Sequence, residues 1–453
     1  MNTNSYLKEL FDFLSIPSIS AQSSHKKDIN SAAVWLQKKF TRLGFDSEVL
    51  PTEGHPVVYA ENLKAGNKKA TVLIYGHYDV QSPDPLDQWI TDPFKPEIRS
   101  GNIYARGVAD DKGQLYTWIA AIEELLKNTS VSREVHSQGG ILPVNVKFII
   151  EGEEEIGSKN LDEFIERNRA ILSANVCALS DTHCLTESQP LIDYGLRGIV
   201  YTQVKVKTLG RDVHSGIYGG NVLNPINIVA NLIAKLKDDD QNILIPGFYD
   251  SVRVLNKEER VQLNKVPFTD KEIIKETGAE VVAGEKDFSV NERAGTRPTL
   301  DVNGIWGGYT NEGPKTIIPS SAHPKISMRI VPNQKADNVY VQFENYLQSI
   351  VPNGVELTIE LLSTAESVLF ETKSKYFKAA EKAYEKVFGN KPIYELSGGT
   401  IGAAAAIKNT LGIDCVLMGY GLPDDGLHSP NEKLSIFMFE KGIKTNIEFL
   451  KNI

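Results

Sequence analysis

The sequence predicts an α/β protein: an α/β/α domain with a mostly parallel sheet, interrupted by an inserted α+β domain. Three observations predict it. Short apolar runs alternate with helical patterns up to about residue 190, the texture changes near Arg197, and the first texture returns after residue 366.

The elements follow in order. The first residues, MNTNSYLKELFDFLSIPSIS, read as an amphipathic helix stopped near Pro17; Glu9 and Asp12 interrupt any apolar run of the kind a secretory signal needs. Thr71–Tyr75 (TVLIY), Val144–Ile150 (VNVKFII) and Val176–Leu179 (VCAL) are continuous apolar runs, as expected of parallel strands covered on both faces. Gln114–Lys127 is a helix between the first two of them. From Arg197 the strands Ile199–Val206 and Lys325–Val331 partly alternate, which suits a sheet with one wet face. Pro225–Lys235 and Ala336–Ser349 carry apolar positions three and four apart and read as helices. The stretch 238–298 is charged and shows no usable pattern. Beyond it, Lys373–Phe388 is helical, Pro392–Leu396 is strand-like, Gly402–Lys408 starts a helix, and Asp414–Gly419 is a strand.

Composition bounds the function. The chain has 453 residues, 41% of them apolar and 24% charged, the balance of an ordinary globular protein with room for more than one core. A net charge of −9 gives no overall basic field for nucleic acid or anionic lipid. No apolar run approaches the roughly 20 residues that span a bilayer. The three cysteines, Cys177, Cys184 and Cys415, form no CxxC pair and read as free thiols in a reducing compartment, with the cytoplasm as the expected location.

Chemistry gathers where the strands end. TVLIY is followed by Gly76-His77-Tyr78-Asp79, VNVKFII by Glu151-Gly152-Glu153-Glu154-Glu155, VCAL by Ser180-Asp181, and the CVLMGYG run by a loop reaching His428. Asp110-Asp111 stands just before the helix at Gln114. Sites in open parallel sheets form outside the carboxyl ends of the strands, so these groups are expected to converge. Crowded carboxylates repel one another unless a cation lies between them. Histidine with carboxylate and no thiolate suits Zn²⁺, Mn²⁺ or Co²⁺, and two histidines with three carboxylates can hold two ions with one carboxylate bridging.

Ten motifs in order resemble the M20 family of metallopeptidases, and within it the branch of cytosolic nonspecific dipeptidases and carnosinases. They are GHYDV (76–80), GVADDKG (107–113), EGEEEIGS (151–158), SDTH (180–183), YGLRGI (194–199), RDVHSG (211–216), KTIIP (315–319), SMRIVPN (327–333), GGTI (398–401) and GLPDDGLHSPNEK (421–433). The resemblance implies a discontinuous catalytic di-metal domain, 1–196 and 366–453, and an inserted lid and dimerisation domain, 197–365. It implies His77, Asp110, Glu155, Asp181 and His428 as ligands of two divalent ions, Zn²⁺ first, with Asp110 bridging. It also implies that Asp79 orients His77 and that the Asp110–Asp111 peptide is cis. Gly157-Ser158 fix the frame of the glutamate run, so that Glu154 matches the general base and Glu155 the ligand. His214 matches a histidine that reaches the substrate carbonyl across a homodimer, and Arg329 and Thr316 match substrate-binding positions.

The activity so implied is hydrolysis of the amide bond of a dipeptide or very short peptide with a free C-terminal carboxylate, by a hydroxide bridging the ions with Glu154 as base. An N-acyl amino acid deacylase is the alternative. The segment Ser397–Ala406 resembles a nucleotide cradle but lacks a full GxGxxG, and is read as a place for a substrate carboxylate, with Thr400 and backbone N–H groups such as that of Gly399 donating. Relatives in this branch often carry Arg-Glu where Leu396-Ser397 stand here, so a charge near the substrate is expected to be missing. His25, His55, His136, His183 and His323 match no ligand, and Asp84, Asp87, Asp424 and Asp425 read as turn residues.

Overall fold

The computed structural model describes residues 3–128 and 140–453; His136 lies outside them. The chain divides into two units. One comprises residues 1–194, 370–395 and 402–453, and the other residues 195–369 and 396–401.

The first unit is built on a sheet with a parallel centre and antiparallel flanks. Its strand order is Asp46–Leu50, Val57–Asn62, Asn145–Glu151, Thr71–His77, Val176–Leu179, Cys415–Leu417 and Leu191–Leu196. The four central strands are mutually parallel, with His77 opposite Glu151, Ile74 opposite Ala178, and Leu417 opposite Leu179. The outer neighbours run antiparallel, with Val58 opposite Ile150 and Leu417 opposite Asp193. Asn145–Glu151 and Val176–Leu179 are buried at every position, which requires cover on both faces and explains why the sequence shows runs there rather than alternation. The helix Lys112–Asn128 packs against Thr71–His77 and against the last helix, Ile436–Asn452, which in turn packs on Lys375–Phe388. The first helix, Thr3–Leu14, buries Tyr6, Leu7, Leu10, Phe13 and Leu14, the three-and-four spacing of one apolar stripe. None of the described helices is long and apolar enough to cross a membrane.

The second unit holds a four-stranded antiparallel sheet in the order Thr299–Gly307, Ser321–Ile330, Gly198–Lys207 and Glu356–Ala365. Ser321–Ile330 alternates half-buried and buried along its whole length, so one face is dry and the other wet. The dry face carries Val200, Val204, Leu300, Ile326 and Met328, which share one core with Ile228 and Val229 of helix Pro225–Ala234 and Phe343 of helix Ala336–Ile350. The stretch that showed no pattern contains three short helices, Lys257–Leu263, Asp270–Thr277 and Val290–Thr296. Each opens on a capping box: Asn256 with Glu259, Thr269 with Glu272, and Ser289 with Glu292. Leu396–Ile401, which the sequence places with the first domain, groups with the second unit. There Arg197 donates from its backbone N to Gly399 O at 3.1 Å and from Nε to Gly398 O at 3.0 Å.

Candidate metal centre

Parallel strands end at a common edge, and the ligand candidates sit on that edge because of it. His77 is the last residue of its strand, and Glu151 is the last of the next. Past Glu151 the chain turns at Gly152, where a Cβ would lie 2.4 Å from the Tyr78 hydroxyl, so the turn needs glycine. Asp181 follows two residues after Leu179. His428 stands on a loop in the left-handed region, φ 59°.

Asp110 lies at the centre. Its Oδ1 is 3.1 Å from His77 Nε2 and its Oδ2 is 2.9 Å from His428 Nε2. His428 Nε2 is also 3.1 Å from Glu155 Oε2. Two groups of ligand atoms result, His77/Asp110/Asp181 and Asp110/Glu155/His428; within each group all atoms lie within 4.8 Å of one another. Asp110 is common to both. The Asp110–Asp111 peptide is cis.

The surroundings fix these side chains. His77 Nδ1 faces the Asp79 backbone O at 3.1 Å and Asp79 Oδ1 at 3.3 Å, both acceptors, so Nδ1 carries a proton and Nε2 is the atom directed at Asp110. Asp79 Oδ2 accepts from Glu155 N at 3.1 Å. Gln81 Nε2 donates to Glu155 Oε2 at 3.0 Å and to its carbonyl at 3.1 Å.

The glutamate run divides in three directions. Glu151 accepts from Tyr75 Oη at 2.7 Å and Ser158 Oγ at 2.9 Å, and Glu153 accepts from His55 N at 3.0 Å and Asn160 Nδ2 at 2.7 Å. Glu155 instead faces His428. Among the electrostatic partners of Glu154 are His77, Asp181, Glu155 and Asp110.

The charge balance tests whether a cation fits. Burial, then the nearby charge of Asp110 and Glu155, pushes the Asp181 carboxyl up to about 7 against the pull of His77. Burial also raises Glu154, aided by Asp181, Glu155 and Asp110 and opposed by His77. Burial works against a charged His77 ring, but hydrogen bonds to Asp110 and Asp79 outweigh it and raise its pKa. Hydrogen bonds to Asp110 and Glu155 push His428 up to about 10. For Asp110 burial acts upward, yet hydrogen bonds from His428 and His77 outweigh it and hold the carboxyl below the usual carboxylate range. Protons thus stand where positive charge is needed. An oxygen- and imidazole-lined site with this excess of negative charge, sharing one carboxylate between two ligand groups, fits a pair of divalent cations.

The remaining candidates lie in the second unit. Gly216 N donates to His214 Nδ1 at 3.0 Å, so the neutral ring carries its proton on Nε2, 3.5 Å from Thr316 Oγ1. Both residues are exposed. Arg329 is half-buried and donates from Nη1 to Thr400 Oγ1 at 2.6 Å; burial lowers its pKa and the charge of Asp301 opposes that. The donors expected at 399–400 are already used within the second unit. Thr400 Oγ1 gives its proton to Arg197 O at 2.7 Å, and Gly399 N donates to Ser397 Oγ at 3.2 Å. Thr400 therefore holds Arg329 in place instead of presenting an O–H.

Several residues near these groups were not singled out in the sequence. Gln81, directly after GHYDV, offers no signal by type. Arg197 and Glu432 stand inside recognised motifs, where a motif residue of ionisable type is itself a hint. Asp425, read as a turn residue, is fully buried and accepts from Leu422 N at 2.7 Å and Lys433 Nζ at 3.2 Å.

Residues 73–452 match the family model of "Peptidase family M20/M25/M40". A Cys-Gly metallodipeptidase of Schizosaccharomyces pombe is 31% identical over 97% of this chain and 93% of its own length. The human Beta-Ala-His dipeptidase is 32% identical over 88% of this chain and 77% of its own. Among solved structures, an M20 family metallo-carboxypeptidase from Sulfolobus solfataricus superposes with a TM-score of 0.88 at 36% identity, covering 98% of each chain.

Proposed function

This chain belongs to peptidase family M20/M25/M40, and from that premise we propose that it is a metal-dependent dipeptidase. The observation that carries the reading is the Asp110 carboxylate set between His77 and His428, with Glu155 on one side and Asp181 on the other. His77, Asp110 and Asp181 would hold one divalent ion and Asp110, Glu155 and His428 the second, Zn²⁺ before Mn²⁺ or Co²⁺. When bound, such a pair polarises a carbonyl and lowers the pKa of water.

The chain's own residues do the rest. Glu154, half-buried and with its carboxyl raised, takes a proton from the attacking water and passes it to the leaving amine nitrogen. His214, with its proton on Nε2, donates to the carbonyl oxygen as charge develops there, supplied by one copy of a homodimer to the site of the other. Arg329, anchored by Thr400, offers its fork-shaped guanidinium to the free C-terminal carboxylate, with Thr316 beside His214 as a further substrate contact. We place the enzyme in the cytoplasm, on the ground that all three cysteines are free and buried.

The test is a hydrolysis panel on metal-stripped protein with Zn²⁺, Mn²⁺ or Co²⁺ added back singly. It uses Cys-Gly, β-alanyl-histidine, other dipeptides, tripeptides and N-acetyl amino acids. Metal-dependent cleavage of dipeptides is expected. Cleavage confined to N-acetyl amino acids, or turnover in the stripped protein, would overturn the reading. Tripeptides are included because the Sulfolobus relative is described as a carboxypeptidase, and both reactions need a free C-terminal carboxylate.

A further inference from the structure

Glu432 is fully buried, four residues beyond His428 on the same loop. A buried carboxylate calls for several donors, and this one has four. Its Oε1 accepts from Ala109 N at 2.8 Å and Asp110 N at 3.2 Å, and its Oε2 accepts from Gly107 N at 2.9 Å and Arg106 Nη1 at 2.8 Å. Three of the four donors are backbone groups of the segment that ends in Asp110. Ala105 N adds a main-chain bond to Glu432 O at 3.2 Å. Arg106 also closes on the histidine loop, donating from Nη2 to Ser429 O at 3.3 Å. One side chain therefore fastens the loop that carries His428 to the backbone that aims Asp110. A carboxylate shared by two ligand groups is useful only if both of its oxygens keep their places, and tolerance at such sites is a fraction of an ångström.

We propose that Glu432 is a positioning residue for the shared ligand Asp110, setting its backbone relative to His428 through the bonds to Gly107, Ala109 and Asp110. The role rests on the reading of Asp110 and His428 as ligands. Its chemistry is geometric: an acceptor on each oxygen, spaced to span residues 107 to 110. In Glu432→Gln one oxygen becomes an amide that turns N–H toward Gly107 N–H and Arg106. Glu432→Asp keeps the charge opposite Arg106 but is one methylene too short to span the segment.

The experiment measures Zn²⁺ affinity of the full-length protein by competition with a chelating dye. Melting temperature with and without Zn²⁺, and kcat and KM on a cleaved dipeptide, are measured on the same samples. Both variants are expected to bind Zn²⁺ about 10–100-fold more weakly, the usual cost of losing a partner that orients a ligand. kcat should fall while KM stays within about twofold, because the defect lies in the reacting geometry and not in substrate binding. The metal-free melting temperature should fall, because Glu432→Gln leaves the buried Arg106 without its counter-charge, and the Zn²⁺-induced rise should shrink in addition. Zn²⁺ affinity matching wild type in either folded variant would overturn the proposal. So would an equal fall of the metal-free and metal-loaded melting temperatures, full rescue by Glu432→Asp, or failure of both variants to fold, since each makes Glu432 a plain structural ion pair. Asp110→Ala separates this from the reading beneath it: wild-type Zn²⁺ affinity in that variant would sink the ligand assignment, whatever Glu432 does.

Discussion

Asp181→Asn should stabilise the metal-free protein while removing its capacity to hold two ions. The carboxyl of Asp181 is raised from 3.8 to about 7, by burial first and then by the charge of Asp110. Between those two values the folded chain binds a proton that the unfolded chain has released. Stability then falls as pH rises, because its slope follows protons bound unfolded minus protons bound folded. At 1.36 kcal/mol per unit, the ionised group costs the folded state under about 2 kcal/mol at pH 5 and about 4 kcal/mol at pH 8. An amide of the same shape carries no such cost. The variant should therefore exceed wild type in chelator by a margin that grows with pH. At about 1–2 °C per kcal/mol for a unit of this size, the margin at pH 8 is roughly 4–8 °C. Adding Zn²⁺ should reverse the order, since by mass action wild type gains from two ions and the variant, left with Asp110, Glu155 and His428, from at most one. Thermal denaturation followed by circular dichroism at pH 5 and pH 8, with chelator and with Zn²⁺, reads all four conditions. A variant less stable than wild type at pH 8 in chelator, or a margin that does not change with pH, would refute the reasoning.

Two further outcomes follow from the same geometry. Glu154→Gln should keep the metal content of wild type by elemental analysis and lose about 10²–10⁴ in kcat, the usual contribution of a positioned base; wild-type turnover in that variant would remove Glu154 from the mechanism. Arg329→Lys replaces a planar fork by a point charge and should raise KM for dipeptides about 10–100-fold, the equivalent of a charged hydrogen bond of roughly 1.5–3 kcal/mol. The KM of a C-terminally amidated dipeptide should not change in the same comparison, and if both substrates suffer equally the guanidinium is not a carboxylate anchor.

What was legible in the sequence depended on period. The buried runs Thr71–Tyr75, Val144–Ile150 and Val176–Leu179 announced a parallel sheet because strands covered on both faces leave no alternation, and their ends marked the edge where His77, the glutamate run and Asp181 gather. The half-wet strand Gly198–Lys207 announced itself by alternation. Two kinds of feature escaped. The helices in 238–298 are seven or eight residues long, too short to show a stripe, although their capping boxes were present as Asn-x-x-Glu, Thr-x-x-Glu and Ser-x-x-Glu. The other kind is the spending of hydrogen-bond capacity. Thr400 reads as a free donor in sequence, but its proton goes to Arg197 O, a residue 203 positions away in the chain. Pairings at that separation leave no trace in local pattern. The same holds for Glu432, whose donors lie more than 320 positions upstream.

The contacts around Asp110 also govern how ions would enter the site. Asp110 is held ionised between two rings whose pKa values are raised by that same carboxylate, so protons on His77 and His428 supply part of the positive charge the cluster lacks. Asp181, with its pKa about 7, takes up a further proton below neutrality. Imidazole and carboxylate ligate only in their deprotonated forms, so each ion must displace these protons, and affinity must climb as they become easier to lose. The same contacts, His77 to Asp110 at 3.1 Å and His428 to Asp110 at 2.9 Å, thus do two jobs. They hold Asp110 between the two histidines, and they make the site a competitor for protons as well as for metal. A cluster of neutral donors would bind with less dependence on pH, but it would offset less of the charge of any divalent ion.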